Sequence, residues 1–586
     1  MQKNSSIVVS IGYGHNGTVA VLENGKITHC ISEERFNRIK NSTGFPTLAL
    51  EYIKKKINKP IDYYVMTQHY MWGYLYIKKN NFKSIPYRSH VGQVPRKPPL
   101  LKLFPKYFYS RAMKKMLTTT EGMERNTELK EEMEEYFSNL FEVPRDKIIY
   151  ADHHLTHALS TKFFENNDKD KLVFTLDGQG DGLCATVGIF SKNDYKVIST
   201  VNKAFSLGFL YQEITAFLGM KPDEHEFKVM GLAPYAKQEH VLQLLPLFEK
   251  ILWLNDKDEF ESTIPITDIR YYLMENLLYK RFDNIAGAVQ MFTENLTLEW
   301  IRRWIKKTGI KDISLSGGVF MNVKMNQKIG QMKEVNSLTI TPSAGDESTV
   351  IGGCYLGYKQ ICDKNRIPCE IKPIKDLYLG TEYSEKEIEK FLNDGNYFKK
   401  YTISKPENIN YSVAKLLSEN QVVARFSGRM EFGARALGNR SILANPKSFE
   451  NIRIINEMIK NRDFWMPFAA SIIKEDTSRY LKNPKKVDGS FMIITFDTTD
   501  EAKKDLIGAI HPYDKTSRPQ IVDKETNKTY HEVISEFKKI TGIGGILNTS
   551  FNLHGEPNVE SPKDAMHTFE NSGLKYLALG PFLISK

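Results

Sequence analysis

Cysteine is scarce in this chain. There are five among 586 residues (Cys30, Cys184, Cys354, Cys362 and Cys369), scattered and without a Cys-x-x-Cys pair. That spacing excludes a disulfide framework and a cysteine-based zinc site. Long apolar runs are missing too, and none approaches the ~20 residues a helix needs to cross a bilayer. The start, MQKNSSIVVSIGYGHNG, lacks the apolar region and small-residue cleavage site of a signal peptide. A reducing cytoplasm is the expected location. The sequence has no GxxxxGK[ST] and no GxSxG, which excludes a P-loop and a nucleophile elbow. Low-complexity tracts are absent as well. With no evident reactive cysteine, chemistry must come from positioning and electrostatics.

What is present is an ordinary globular composition, 41% hydrophobic and 11% aromatic. The length predicts three or four folding units at roughly 150 residues each. The net charge of +11 is unevenly placed, since residues 68–120 carry 11 Lys and Arg and no Asp or Glu. The remainder is balanced, so a general nucleic-acid coat is not expected. Tyr70, Trp72, Tyr74, Tyr76, Tyr107 and Phe108 interleave with these charges. The stretch reads either as a solvated basic surface or as a lid for an anionic acceptor, with aromatic faces for sugar or base rings.

Two segments share one pattern. SIVVSIGY (6–13) predicts a buried strand, followed by a hairpin turning at Asn24-Gly25. KLVFTLD (171–177) predicts a second buried strand, then a glycine turn and a hairpin turning at Asn193-Asp194. The repeat predicts a duplicated α/β architecture with its glycine turns facing a cleft. Residues 280–310 are helical in pattern and lead into ISLSGGVFMNVKMN, a strand, glycine turn and helix. DKNRIPCEIKP (363–373) reads as a domain junction, and a second unit follows from about 375.

Three constellations carry chemistry. In ADHHLTHALS (151–160), His153 and His157 are four apart, on one face of a helix. Asp177 ends one predicted strand just before a glycine turn and Asp346 follows another, and strand-end carboxylates in loops face the cleft of an α/β domain. Two His with one or two Asp suit iron, zinc or manganese; histidines that merely cap or pack a helix are the alternative. SGGVFMN, with Gly317, Gly318 and Asn322, offers backbone N–H groups for an oxyanion, or is simply a tight turn. The densest group places Arg429, Arg435 and Arg440 among Gly428, Gly433 and Gly438. Lys460, Arg462 and Arg518, with Asn548, Ser550 and Asn552 of NTSFN, extend it. Arginine forks among glycines and apolar residues suit a phosphate or carboxylate pocket.

In order along the chain, GYGHNGTVAVLENGKI, SEERFNRIK, HHLTHA, LDGQGDG, LSGGVFMNVKMN, AGDE, GRMEFGARALGNRSILA and NTSFNLHGEPNV resemble the O-carbamoyltransferases of nodulation-factor and antibiotic biosynthesis, the NodU/CmcH type. The resemblance implies an actin-like carbamoyl-transfer domain over 1–365, akin to the tRNA threonylcarbamoyl transferase. It implies a YrdC-like α/β domain with a twisted open sheet over 375–586. The second domain would convert carbamoyl phosphate and ATP, with Mg²⁺, into carbamoyl adenylate and pyrophosphate. The first would pass the carbamoyl group to an acceptor hydroxyl. The family's metal ligands fall on His153, His157, Asp177 and Asp346, with iron the expected ion and zinc or manganese as alternatives. His15 matches the histidine that contacts the acceptor, and Arg435 and Lys460 fall in the carbamoyl phosphate and ATP pocket. Asn16, Met466 and Ala470 depart from the family pattern, which often has Asp, Arg and Pro there. Expected partners are carbamoyl phosphate, ATP and a hydroxyl-bearing small-molecule or sugar acceptor. A homodimer is compatible; DNA and a membrane span are not expected. The alternatives are a tRNA threonylcarbamoylation enzyme and a non-catalytic nucleotide-binding scaffold.

Overall fold

A computed structural model describes residues 6–68, 71–83, 85–86, 109–114, 127–165, 169–460 and 463–586. The chain forms two compact units. The first comprises Met1–Glu33 and Asn41–Ile374, and the second comprises Lys375–Lys586 together with the short segment Glu34–Lys40.

The first unit is built on two five-stranded sheets of the same order. In one, β1 (Ile7–Gly12), β2 (Thr18–Glu23), β3 (Lys26–Ser32), β4 (Tyr63–Met66) and β5 (Ile148–Tyr150) run in the order β3-β2-β1-β4-β5. In the other, β6 (Lys171–Gly180), β7 (Leu183–Ser191), β8 (Asp194–Asn202), β9 (Asp312–Ser316) and β10 (Ser337–Ile340) run β8-β7-β6-β9-β10. In both, the first three strands are antiparallel and the last two add in parallel. This repeated topology makes the first unit a duplicated actin-like α/β fold.

Local chemistry explains the repeat. β1 is buried along its whole length, as its continuous apolar run requires. Its hairpin turns on Asn24 (φ +50°) and Gly25 (φ +77°), two residues that tolerate the left-handed region. The second hairpin corrects the sequence reading by one residue. Asp194 pairs with Ser191, so the turn is Lys192-Asn193, with Lys192 at φ +54°. Strand pairing of the apolar residues outweighs turn propensity there. The helix Thr349–Asn365 is buried against β1 and the His153–Ser160 helix. Gly352 permits this, because a Cβ there would lie 1.8 Å from the Thr156 carbonyl oxygen.

Of the basic stretch, 69–70, 84, 87–108 and 115–120 lie outside the described residues. Among its aromatics, Tyr74 is 1% exposed and packs near Phe82, Tyr136 and Phe137. Its hydroxyl donates to Glu132 at 2.8 Å. Tyr74 is therefore a core residue and not a stacking face, which corrects that part of the reading. Tyrosine is amphipathic, and the aromatic cluster of Phe82, Tyr136 and Phe137 claims its ring.

The second unit holds one eight-stranded mixed sheet. Its strands are β11 (Thr402–Ser404), β12 (Val423–Phe426), β13 (Arg440–Ala444), β14 (Ala469–Ile473), β15 (Gln520–Val522), β16 (Gly545–Ser550), β17 (Tyr576–Leu579) and β18 (Phe582–Ser585). They run in the order β11-β18-β17-β12-β13-β16-β14-β15. Ala470, one of the departures from the family pattern, sits fully buried on β14.

Candidate functional site

In the first unit the functional side chains come from residues that follow β5, lie near the end of β6 and follow β10. The His153–Ser160 helix starts sharply because Asp152 caps it, accepting from the Leu155 N–H at 2.7 Å. Asp181 accepts from the His153 N–H at 2.7 Å and fixes the same end. Helical spacing then brings the Nε2 atoms of His153 and His157 to 3.1 Å, both buried. Asp177 Oδ2 lies 3.4 Å from His153 Nε2 and 3.1 Å from His157 Nε2. Asp346 Oδ1 stands 3.7 Å from each. All four ligand atoms fall within 4.8 Å of one another.

This geometry fits a cation. Ligand bonds of about 2.0–2.2 Å place neighbouring ligand atoms roughly 3.0–3.6 Å apart. Two imidazole nitrogens facing each other at this distance need a proton or a metal ion between them. Burial pulls the His153 imidazole down, but Asp346 and then Asp177 outweigh it and raise it to about 9. His157 is raised by the same pair against its burial. Burial would lift the Asp177 carboxyl, yet the two histidines hold it well below the usual carboxylate range. The donor set of two nitrogens and two carboxylate oxygens is borderline-hard and suits a divalent transition metal.

Surrounding groups orient the ligands. His157 Nδ1 lies 3.3 Å from Ser316 Oγ, which leaves Nε2 for the cluster. Ser160 Oγ donates to the His157 carbonyl at 2.7 Å. Gly318 sits directly beside Asp177, where a Cβ would stand 3.0 Å from its Oδ1, and a Cβ on Gly317 would meet the Leu176 carbonyl oxygen at 2.4 Å. Gly180 makes room for the His153 ring, since a Cβ there would meet Cδ2 at 2.0 Å. Gly180→Ala is expected to displace the ring and weaken metal binding by about tenfold or more. Elemental analysis beside a thermal melt checks it, and full metal content with an unchanged melt would contradict it.

The third histidine is different. His154 is buried, with Nδ1 2.8 Å from Thr175 Oγ1. Burial first, then its two neighbours, push its imidazole down to about 3. It is a neutral core residue. His15 is half-buried between Gly14 (φ +101°) and Asn16 (φ +53°), a left-handed position that asparagine tolerates well. Glu347, a buried carboxylate next to Asp346, accepts from Ser343 Oγ, and burial pushes its carboxyl up. Glu347 was not singled out in the sequence; its only local signal was its place in AGDE. Asn322, expected to bind substrate or nucleotide, caps the helix Val323–Gln331 and exchanges hydrogen bonds with Gln290 at 2.9 and 3.0 Å.

The second unit gathers Lys460, Ser550 and Asn552. Lys460 is 3% exposed, and its Nζ donates to Ser550 Oγ at 3.1 Å and the Asn552 carbonyl at 3.0 Å. It also donates to Asn552 Oδ1. Asn548 lies deeper, donating to the Ala436 carbonyl at 3.1 Å and Ser471 Oγ at 3.0 Å. Gln520, missed in the sequence, accepts from Asn548 at 3.1 Å and donates to the Leu437 carbonyl at 2.8 Å.

The arginines divide. Arg429 donates to the carbonyls of Gly380 at 2.9 Å and Leu379 at 3.1 Å. Arg440 is fully buried over the Phe426 ring, with Nη1 on the carbonyls of Ser427, Gly428 and Asn439. Burial pulls its guanidinium down to about 10. Arg425, not singled out in the sequence, donates to the Gly438 carbonyl at 2.6 Å. Arg440 and Arg425 bond backbone carbonyls of the glycine-rich loop, which has no regular ladder, while Arg429 ties that loop to the 379–380 segment. Arg440 keeps Nε and Nη2 buried without a hydrogen-bond partner among the described residues. Arg435 and Arg518 are half-buried, and Arg462 lies outside the described residues.

Two family models divide the chain. Residues 7–355 match Carbamoyltransferase N-terminus, and residues 414–586 match Carbamoyltransferase C-terminus. The chain belongs to the carbamoyltransferase family and is a carbamoyltransferase. An uncharacterized protein of Methanocaldococcus jannaschii is 32% identical over 590 residues, covering 99% of this chain and 100% of that protein. Nodulation protein NolNO of Sinorhizobium fredii is 28% identical, covering 98% of this chain and 79% of that one. A full-length HypF, solved in a phosphate- and nucleotide-bound form, aligns with a TM-score of 0.37 at 12% identity, over 63% of this chain and 57% of that one. No helix among the described residues is long and apolar enough to cross a membrane.

Proposed function

We propose that the chain is an ATP-dependent O-carbamoyltransferase with its activation and transfer steps on different units. The observation that carries this reading is the pairing of two family halves with two separate charged sites: the Lys460 cradle in one and the His and Asp cluster in the other. In the second unit, carbamoyl phosphate reacts with water to give carbamate and phosphate. A carbamate oxygen attacks the α-phosphorus of MgATP, pyrophosphate leaves, and carbamoyl adenylate forms. Lys460 and Arg435 offset the charge that builds on the departing phosphate groups. In the first unit, an acceptor hydroxyl attacks the carbamoyl carbon and AMP leaves. His15 takes the hydroxyl proton.

His153, His157, Asp177 and Asp346 would hold the metal, most simply iron. When bound it supplies fixed positive charge for an oxygen of the adenylate. The buried walls around both sites limit loss of carbamate to water. The acceptor in this reading is a small-molecule or sugar hydroxyl, as the resemblance to the O-carbamoyltransferases of nodulation-factor and antibiotic biosynthesis implies.

The test is incubation with ATP, carbamoyl phosphate and candidate acceptors. Pyrophosphate and AMP are expected, with an acceptor gaining one carbamoyl group in place of hydrogen by mass spectrometry. ADP as the sole nucleotide product would overturn the reading.

A further inference from the structure

The segment Glu34–Lys40 lies early in the chain but belongs to the second unit. Two of its arginines reach the two loops that frame the Lys460 cradle. Arg35 is 7% exposed and donates through Nη2 to the Gly433 carbonyl at 2.8 Å. Gly433 stands two residues before Arg435 in the arginine-bearing loop, at φ +93°. Arg38 donates to the carbonyls of Asn558 at 2.7 Å and Pro557 at 2.9 Å, just beyond the NTSFN segment. Asp564 and Glu556 lie 3.6 and 3.8 Å from the same guanidinium. Arg38 itself sits at φ +60°, an uncommon conformation for arginine.

The two loops meet at one peptide. The Arg440 carbonyl accepts from the Phe551 N–H at 3.1 Å and from Asn558 Nδ2 at 3.0 Å. Arg35 therefore holds one loop, Arg38 holds the other, and Arg440 joins them. Neither arginine bonds to Lys460, Ser550 or Asn552 in any contact described for these residues; both act on the backbone that carries such groups.

We propose that Arg35 and Arg38 are positioning residues for carbamoyl phosphate activation, so that the strap 34–40 completes a pocket otherwise built from residues beyond 375. This rests on the activation reading above. A guanidinium bonded to a buried carbonyl holds a loop tightly, and a site that loosens by about an ångström loses rate steeply.

Full-length Arg35→Ala and Arg38→Ala variants test it by two readouts. Amide hydrogen exchange is expected to rise by at least about tenfold over 428–440 in Arg35→Ala and over 551–558 in Arg38→Ala. Carbamoyl phosphate-dependent pyrophosphate formation is expected to fall at least about tenfold in each. Arg35→Ala combined with Arg435→Ala should lose no more than Arg435→Ala alone, since Arg35 acts through that loop. Unchanged exchange in these loops, or additive losses in the double variant, would overturn the proposal. If the wild-type chain forms no pyrophosphate, the activation reading falls, and loop exchange alone decides the role of the strap.

Discussion

Replacing His157 by alanine is expected to empty the metal site and reduce carbamoyl transfer by at least about a hundredfold, because even surrounding groups of metal sites are worth about 10–100-fold. His157 Nε2 lies between His153, Asp177 and Asp346, so its loss breaks three of the contacts that define the cluster. Pyrophosphate formation should be largely retained, since that step is assigned to the other unit. The histidine is fully buried, and removing a paired group leaves Asp177 short of a donor, at a cost of about 3–5 kcal/mol. Asp346→Ala is the gentler variant, because its carboxylate is the most exposed of the four ligands, at 22%. Both variants should show the same split between metal-dependent transfer and metal-independent pyrophosphate release. Full metal content in either, by elemental analysis, would refute the ligand assignment.

Lys460→Ala is expected to produce the opposite split. Its ammonium is the buried cation of a cradle made by Ser550 Oγ and the Asn552 carbonyl. A charge-assisted contact of this kind is worth about 1.5–3 kcal/mol, or roughly tenfold to over a hundredfold in rate. Pyrophosphate release should fall by that factor or more, while transfer from supplied carbamoyl adenylate continues. His554 Nδ1 bonds the Lys460 carbonyl at 2.7 Å and stays in place in the variant, so the backbone should hold. A moderate loss of stability is expected from the acceptors left without their donor, about 1–3 kcal/mol. Lys460→Met keeps the volume of the chain and separates that cost from the loss of charge. Unaltered pyrophosphate formation in Lys460→Met would remove lysine from the activation step. Arg435→Ala should match Lys460→Ala in direction, with metal content untouched.

Sequence alone determined those features whose cause is short-range. The spacing of His153 and His157 placed both imidazoles on one helical face before any fold was known. The Asn24-Gly25 turn and the continuous apolar run of β1 likewise act within a few residues. The repeated strand and hairpin pattern therefore made the duplicated unit legible. Asp177 and Asp346 were legible for a related reason, since carboxylates near or just beyond strand ends have few places to go but the cleft. Tertiary structure decided what each long or amphipathic side chain does. Tyr74 joined the core, while Arg429 and Arg440 turned to backbone carbonyls. Ser471, Gln520 and Glu347 became parts of buried networks that no local pattern announced. Most distant of all, Arg35 found Gly433 nearly four hundred residues away in the chain. Helix and strand periodicity reports which face is buried, but it carries no information about which carbonyl or carboxylate waits there. That partner is chosen by the cost of burying a polar group unpaired, and only the assembled fold decides which group is within reach.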